Sequence, residues 1–257
     1  MSNTKTTSKT KSTSDTKTTF PSPTKIVSAQ DFAIIEKILR NRYEYFTEVR
    51  EGVDLTTKIK SMIISSTIFF AIYGAVMGST HSLWQALSSA AKLPILFVAT
   101  LLICVPSLYF FSLLFGSNQS LRQNLTVIMT AISVTAVLLL SFAPITLFFL
   151  LTTSQYQFFK LLNVGVFAIS GLMGIVFLYQ GMKVVSGPET EGASTRRMVL
   201  ILWMFVYAFV GSQMAWTIRP FIGAPGTPFE LFRQLGGNFY TNVLQSIGEI
   251  LGFLIVR

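Results

Sequence analysis

The chain has 257 residues, of which 51% are apolar and only 12% are charged. An ordinary soluble domain carries about twice that share of charged residues, so the composition excludes most soluble enzymes. The net charge of +9 fits membrane topology and attraction to anionic lipids. No basic patch is interleaved with stacking aromatic residues, so nucleic acid is not a predicted partner.

Residues 1–27 form a low-complexity tail rich in Ser, Thr and Lys. The tail has no apolar run to bury, and it is therefore predicted to be disordered.

Residues 28–60 are predicted to form an amphipathic cytoplasmic helix followed by a linker. Ser28 can cap a helix that runs to Glu51, and apolar residues recur along it at spacings of three and four. Two interpretations stay open: the helix docks on the membrane domain or lies at the lipid headgroups, or it binds a partner protein. Arg40 and Arg42 are candidate contacts for lipid or a partner.

Residues 61–216 are predicted to form an all-α membrane domain, a bundle of about five transmembrane helices. Each of five apolar stretches supplies the ~20 residues that a helix needs to cross a bilayer. Charged residues occur only at the edges of these stretches or between them. The stretches are Ser61–Ser79, Leu93–Gly116, Leu125–Thr152, Leu161–Gln180 and Met198–Trp216.

Small residues recur four positions apart in two of the spans. Gly74 and Gly78 form a GxxxG pattern in the first span, and Ser170 and Gly174 form a related pattern in the fourth. Small side chains let helix backbones approach closely in lipid. These four residues are therefore predicted to serve helix packing, within the bundle or in a dimer.

No Asp, Glu, Lys, Arg or His residue lies at the centre of a predicted span. Proton-coupled transporters and ion pumps usually need such a group, so the pattern disfavours them. Pro106 and Pro144 lie within the second and third spans, where each is expected to kink its helix. Such kinks can line a transport path or serve packing alone.

The basic residues predict the orientation of the chain. The first 60 residues hold 11 of the 20 Lys and Arg residues, and the loop between the fourth and fifth spans adds Lys183, Arg196 and Arg197. The positive-inside rule places both regions in the cytoplasm. Arg196 and Arg197 are further candidate contacts for lipid or a partner.

Residues 217–257 are predicted to form a turn-rich segment and a last helix. Closely spaced Pro and Gly residues between Pro220 and Pro228 exclude a regular helix, and the segment is expected to fold back onto the membrane surface. Asn238 can cap a helix over Phe239–Val256, which is either an amphipathic surface or bundle-packed helix or a sixth span. The candidate lipid or partner contacts here are Trp216, Arg219, Phe221, Gly223, Pro225, Phe229 and Arg233.

Two segments carry a resemblance to known membrane proteins. One is Lys92-Leu-Pro-Ile-Leu-Phe-Val-Ala-Thr with the later Pro106-Ser-Leu-Tyr, and the other is Trp-x-x-Arg-Pro-Phe-x-Gly-x-Pro, which begins at Trp216. From Lys92 to Tyr240 the chain resembles an uncharacterised group of bacterial inner-membrane proteins, common in cyanobacteria and similar to the Yip1 family of five-span proteins. The resemblance implies about five spans, a cytoplasmic N-terminal arm, and a bacterial inner membrane or thylakoid as the location.

The predicted function is that of a non-enzymatic integral membrane protein. It would act as a scaffold, assembly or regulatory subunit of a membrane complex, in contact with the lipid bilayer and a protein partner. The resemblance implies a similar role in membrane organisation or assembly. The alternative is a carrier or channel for a small or lipid-like solute.

An enzyme is the weakest of the three hypotheses. Glu230 and Glu249 could gather with nearby arginines, but no metal-binding histidine or evident nucleophile accompanies them. His81 and Cys104 are the only His and Cys residues, too few for the usual four-ligand zinc site. No catalytic, cofactor-binding or metal-binding residue is therefore predicted, and no cofactor.

Overall fold

The computed structural model of the protein describes residues 29–114, 119–153, 155–186, 193–223, 226–233 and 236–251. The predicted tail, Ser28, Pro225 and the side chains of Arg196 and Arg197 lie outside this part. Within it the chain forms helices and no strand. The helices are α1 (Ala29–Arg40), α2 (Arg42–Glu51), α3 (Leu55–Gly78), α4 (Leu83–Leu114), α5 (Leu121–Thr152), α6 (Tyr156–Ser186), α7 (Ala193–Thr217) and α8 (Phe239–Ile250).

Among the described residues, five helices are long and apolar enough to cross a bilayer, namely α3 to α7. The prediction of an all-α protein with about five spans is confirmed. The helices begin earlier than the apolar stretches: α3 begins at Leu55, α4 at Leu83 and α6 at Tyr156. Hydropathy marks only the part of a helix that suits lipid, whereas the backbone hydrogen bonds continue into the more polar ends.

The spanning helices form an arc, in the spatial order α7, α4, α3, α5, α6. The central helix α3 packs along both α4 and α5, while α7 packs on α4 and α6 packs on α5. The two ends of the arc, α6 and α7, scarcely touch each other, and α8 contacts both. We call the end of the bundle that holds α1 and α2 the N-terminal end, and the opposite end, which holds α8, the C-terminal end.

Gly74 and Gly78 lie where α3 crosses α4. A Cβ atom on Gly74 would overlap the backbone of Ser89, and one on Gly78 would overlap the backbone of Gln85. The two helix backbones are therefore as close as glycine allows, which maximises van der Waals contact in an apolar solvent.

Ser170 and Gly174 lie where α6 packs on α5. Ser170 is fully buried, and its carbonyl accepts a hydrogen bond from Thr135 Oγ1 at 3.4 Å. A Cβ atom on Gly174 would overlap the Thr135 side chain and the Ala131 carbonyl. In the structure both small-residue pairs thus lie at contacts between neighbouring helices of one chain.

Buried polar side chains pair across the central helices. The hydroxyls of Ser66 in α3 and Ser133 in α5 lie 2.9 Å apart. Tyr73 of α3 donates to Asn163 Oδ1 of α6 at 2.8 Å. Because lipid offers no hydrogen-bond partners, such pairs satisfy polar groups that would otherwise be costly to bury.

The helix predicted over residues 28–51 is two helices, because the chain breaks at Asn41. This residue has φ −126° and ψ 51°, outside the helical region,. The break allows α1 to lie along α3 while α2 reaches α6. Tyr45 and Phe46 of α2 are almost completely buried, so α1 and α2 dock on the membrane domain.

A cluster of ion pairs joins α1, α2 and α3. Glu48 of α2 accepts a hydrogen bond from Lys37 of α1 and lies 3.0 Å from the Nζ atom of Lys58 in α3. The hydrogen bond from Lys37 lowers the pKa of Glu48, although burial opposes this shift, and the same bond raises the pKa of Lys37,. The Lys58 side chain is only 8% exposed.

The last helix, α8, is capped as the sequence predicts. Asn238 and Thr241 form a capping box at its first turn,. Its twelve residues span roughly 18 Å at 1.5 Å per residue, which is less than the ~30 Å hydrocarbon core of a bilayer. The described part of α8 therefore fits a helix packed on the bundle, while residues 252–256 of the predicted helix lie outside that part.

Candidate functional site

An apolar cavity of about 790 Å³ lies inside the arc of helices. All five spanning helices and α8 contribute residues to its wall. The volume falls within the ~300–1,000 Å³ that small-molecule sites usually have. The wall is composed mainly of aliphatic and aromatic side chains, which suits an apolar occupant.

The cavity exists because α6 and α7 do not close the arc. Small residues face it from both helices, among them Gly171 of α6 and Ala208 and Gly211 of α7. A Cβ atom on Gly171 would meet nothing within 4 Å. Since α6 and α7 scarcely touch, the cavity faces the bilayer through the gap between them.

The cavity is as long as a bilayer is thick. Along α6 it extends from Tyr156 to Leu178, which corresponds to roughly 33 Å at the helical rise per residue. The hydrocarbon core of a typical bilayer measures ~30 Å. The cavity therefore runs along the membrane normal rather than across the bundle.

The N-terminal end of the cavity is closed by α2. The deepest wall residues include Ile128 and Leu178. One turn further on, the Phe46 ring lies against Gly181, where a Cβ atom would approach the ring and Val127. Within the described part of the chain, the cavity is therefore a pocket with one closed end.

Two aromatic residues of α7 line the deep part of the cavity. The Trp203 indole donates to the Cys104 carbonyl at 3.1 Å. The Tyr207 hydroxyl is buried, and it has no hydrogen-bond partner among the described residues. Tyr207 therefore places a polar group without a described partner close to the cavity wall.

The C-terminal end of the cavity is basic. Lys160 of α6 and Arg219 and Arg233 of the segment after α7 belong to its wall, and both arginines lie near Tyr156. The Arg233 backbone N–H donates to the Arg219 carbonyl at 3.2 Å, which brings the two side chains together at one point. Burial, and then the Arg233 guanidinium, lower the pKa of Arg219.

Each basic side chain at this end is held by neighbouring groups. The Arg219 guanidinium lies 3.5 Å from the centre of the Trp216 ring, an arrangement that favours cation–π attraction. Lys160 Nζ donates to Asn242 Oδ1 at 3.1 Å. Arg233 Nε donates to Glu230 at 2.9 Å.

The segment after α7 is tied to one face of α4. Gln85 Nε2 donates to the Pro220 carbonyl at 2.9 Å, and Ser89 Oγ donates to the Phe221 carbonyl at 2.6 Å. Lys92 Nζ also donates to the Pro220 carbonyl, at 3.1 Å. These bonds fix the backbone next to Arg219, where the Arg219–Pro220 peptide bond is cis.

The predicted contact residues fall into separate places. Trp216, Arg219, Phe221 and Arg233 line the cavity, Gly223 packs against the His81 ring, and Phe229 is exposed. Arg40 and Arg42 are exposed at the N-terminal end of the bundle. Pro225 and the side chains of Arg196 and Arg197 lie outside the described part.

The two carboxylates of the enzyme hypothesis, those of Glu230 and Glu249, do not form a pair. Glu230 binds Arg233, whereas Glu249 accepts hydrogen bonds from Gln157 and Gln245.

Sequence analysis missed the polar residues that the helices bring to the cavity and its rim. In the sequence, Lys160 is only a charge at the edge of a span, Lys92 is in addition part of a segment that carries the family resemblance, and Tyr156 and Gln157 receive no role. A usable signal exists for Lys92, because Gln85, Ser89 and Lys92 recur at helical spacing and share one face of α4. No comparable signal pairs Lys160 with Arg219.

Comparison with protein-family models, curated proteins and solved structures found no match to this chain. The resemblance to the Yip1-like bacterial group therefore stays a prediction.

Proposed function

We propose that this integral membrane protein is non-enzymatic and binds a lipid-like solute in its cavity, as a carrier does. The observation that carries the proposal is the apolar cavity of about 790 Å³ that faces the bilayer between α6 and α7.

The shape of the cavity supports an elongated apolar occupant. It is long along the membrane normal, and away from the C-terminal end its wall is mainly apolar, with Thr100, Thr135 and Tyr207 among the few polar residues. Water gains little by filling such a space, because a buried water needs two to four polar partners. An acyl chain is apolar like the cavity wall, and the lipids next to the gap between α6 and α7 already supply acyl chains.

The closed end supports a carrier over a channel. Phe46 and Gly181 bring α2 and α6 into contact beneath the cavity, so a solute enters and leaves without passing through a pore. A channel needs a path that is open, or can open, at both ends.

The first experiment introduces a large side chain into the cavity by substituting a glycine of its wall. Gly171→Trp places an indole in open space, since no atom lies within 4 Å of a Cβ there, and it removes a glycine that costs a helix about 1 kcal/mol relative to alanine. The protein is expected to stay folded and to lose binding of a fluorescent acyl lipid by roughly tenfold or more. Binding is measured by fluorescence anisotropy in neutral detergent.

The matched control is Ser141→Trp, which adds the same ring to an exposed position of α5 outside the cavity wall. This variant is expected to bind the lipid as the wild type does. Unchanged lipid binding by Gly171→Trp would contradict the proposal.

A second candidate function is the scaffold or regulatory subunit. It is favoured by the turn between α1 and α2, where Arg40 and Arg42 are exposed and the Tyr43 side chain is 75% exposed. We propose that this end is cytoplasmic and could contact a protein partner there. Aromatic and arginine side chains are the residues most often found at the energetic centre of interfaces.

The scaffold role predicts a stoichiometric partner on purification from native membranes. Tyr43→Ala is expected to lose this partner, whereas Gly171→Trp retains it. If the wild-type protein purifies in mild detergent without a partner protein, the scaffold role has no support left.

A further inference from the structure

We propose that the solute carries an anionic head, a phosphate or carboxylate linked to an acyl chain, and that Arg219, Arg233 and Lys160 bind this head at the C-terminal end of the cavity. The inference rests on the proposed function and adds the chemistry and the orientation of the ligand.

The two arginines are arranged as an anion site. Their backbones are joined by the hydrogen bond between Arg233 N–H and the Arg219 carbonyl at 3.2 Å, and both side chains belong to the cavity wall beside Tyr156. Two guanidinium groups this close repel each other. An oxyanion between them would remove the repulsion and accept paired N–H donors from each.

Lys160 of α6 adds a third basic side chain to this end of the cavity wall. It lies one turn into α6, where Asn242 of α8 accepts a hydrogen bond from its Nζ atom. The first turns of α6 and α8 also lie here, since Tyr156 and Phe239 both belong to the cavity wall. The positive ends of both helix dipoles therefore lie at this end of the cavity.

The carboxylates at this end offset only part of the positive charge. Among the described residues of the C-terminal end, the basic residues Lys92, Lys160, Arg219 and Arg233 outnumber the acidic residues Glu230 and Glu249. Glu230 pairs with Arg233, and Glu249 lies near Lys160 while it accepts hydrogen bonds from two glutamines. An excess of positive charge remains at the mouth of an apolar pocket, which matches the charge distribution of an anionic amphiphile.

The position of the site matches the position of a lipid headgroup. Trp216 marks the C-terminal end of α7 and stacks against Arg219, and tryptophan is enriched at the boundary between hydrocarbon and headgroups. An anionic head at Arg219 and Arg233 would therefore lie at headgroup level, while its acyl chain runs toward Trp203 and Leu178 in the deep wall.

The test compares two labelled lipids with identical acyl chains, phosphatidylglycerol and phosphatidylcholine. The full-length protein in neutral detergent is expected to bind phosphatidylglycerol roughly tenfold more tightly, and added salt should weaken this preference because screening acts on the head contacts. In Arg219→Gln with Arg233→Gln, the preference should vanish because the affinity for phosphatidylglycerol falls to that for phosphatidylcholine, and a cooperative thermal unfolding transition shows that the variant is folded.

Two control variants accompany the double glutamine variant. Arg219→Lys with Arg233→Lys keeps both charges and should retain most of the preference. Arg122→Gln removes one charge from an exposed position near the N-terminal end and should leave the preference intact.

Competition with labelled phosphatidylglycerol distinguishes a carboxylate head, a phosphate head and free phosphate as ligands of the site. Palmitate displacing the labelled phosphatidylglycerol would place carboxylates with phosphates in the ligand class, whereas palmitate failing to displace it would restrict the class to phosphate heads. Displacement by inorganic phosphate alone, at equal concentration, would show that no acyl chain is needed and would overturn the inference.

The failures of the two proposals are distinguishable. Equal affinity for both lipids, or a preference that survives the double glutamine variant, would overturn the anionic head and leave the lipid-like solute in place. No binding of either lipid would overturn the proposed function and this inference with it.

Discussion

Gly74→Leu is expected to lower the free energy of unfolding by about 3 kcal/mol, the upper part of the range for overpacked cores. The Cβ atom of a larger residue at this position would overlap the Ser89 carbonyl and the Ala90 backbone of α4. These are backbone atoms of a packed helix, so relief requires α3 and α4 to separate along their whole contact. Such a separation would loosen the contact between the α3 and α4 surfaces that now pack on each other.

The measurement is the thermal unfolding midpoint in a mild detergent. A loss of about 3 kcal/mol corresponds to a decrease of roughly 6–12 °C for a chain of this size. The matched control is Gly165→Leu in α6, where a Cβ atom would meet nothing within 4 Å. Equal midpoints for the two variants would show that the close α3–α4 packing does not contribute to stability.

Glu48→Gln is expected to destabilise the protein by about 2 kcal/mol, less than the 3–5 kcal/mol for a fully buried ion pair because Glu48 is partly exposed. The variant leaves the nearly buried Lys58 ammonium with the Val53 carbonyl at 2.7 Å as its hydrogen-bond acceptor. It also removes one of the two carboxylate charges of α2 that pair with Lys37 of α1, of which Glu44 is the other. The loss should appear in chemical or thermal unfolding at neutral pH.

The pH dependence of stability gives a second check on this cluster. The pKa of Glu48 is lowered in the folded protein, first by the hydrogen bond from Lys37. Its contribution is therefore fully present above its ordinary pKa of about 4.3 and is lost as the pH falls through the lowered folded value. Wild type and Glu48→Gln should differ at pH 7 and converge toward pH 3.

The control for Glu48→Gln is Glu36→Gln, which removes an exposed carboxylate that pairs with Arg40 across one turn of α1. Such surface pairs contribute about 0–1 kcal/mol. A difference between wild type and Glu48→Gln that persists unchanged at pH 3 would contradict the assigned role of the carboxylate charge.

The sequence by itself determined the membrane architecture. A helix that crosses lipid must satisfy its own backbone hydrogen bonds and present apolar side chains, so each span is encoded locally in about 20 residues. The same holds for Gly74 and Gly174, because close packing in lipid needs small residues at helical spacing. The cap at Asn238 is equally local, since it involves only the first turn of α8.

The apolar stripe after Ser28 predicts one helix, whereas the chain breaks at Asn41. Local helix propensity does not require this break. The break follows from tertiary packing, because α1 packs on α3 whereas α2 packs on α6. The resulting burial of Tyr45 and Phe46 outweighs the cost of interrupting the helix.

Only the tertiary structure decided the candidate site. The cavity results from a contact that does not form, between α6 and α7, and no local pattern encodes the absence of a contact. Lys160 and Arg219 stand 59 positions apart in the sequence and line the same cavity because α6 begins at the end of the bundle where α7 ends. Their joint charge acts through space, so it is set by the arrangement of the helices and not by either residue's neighbours in the chain.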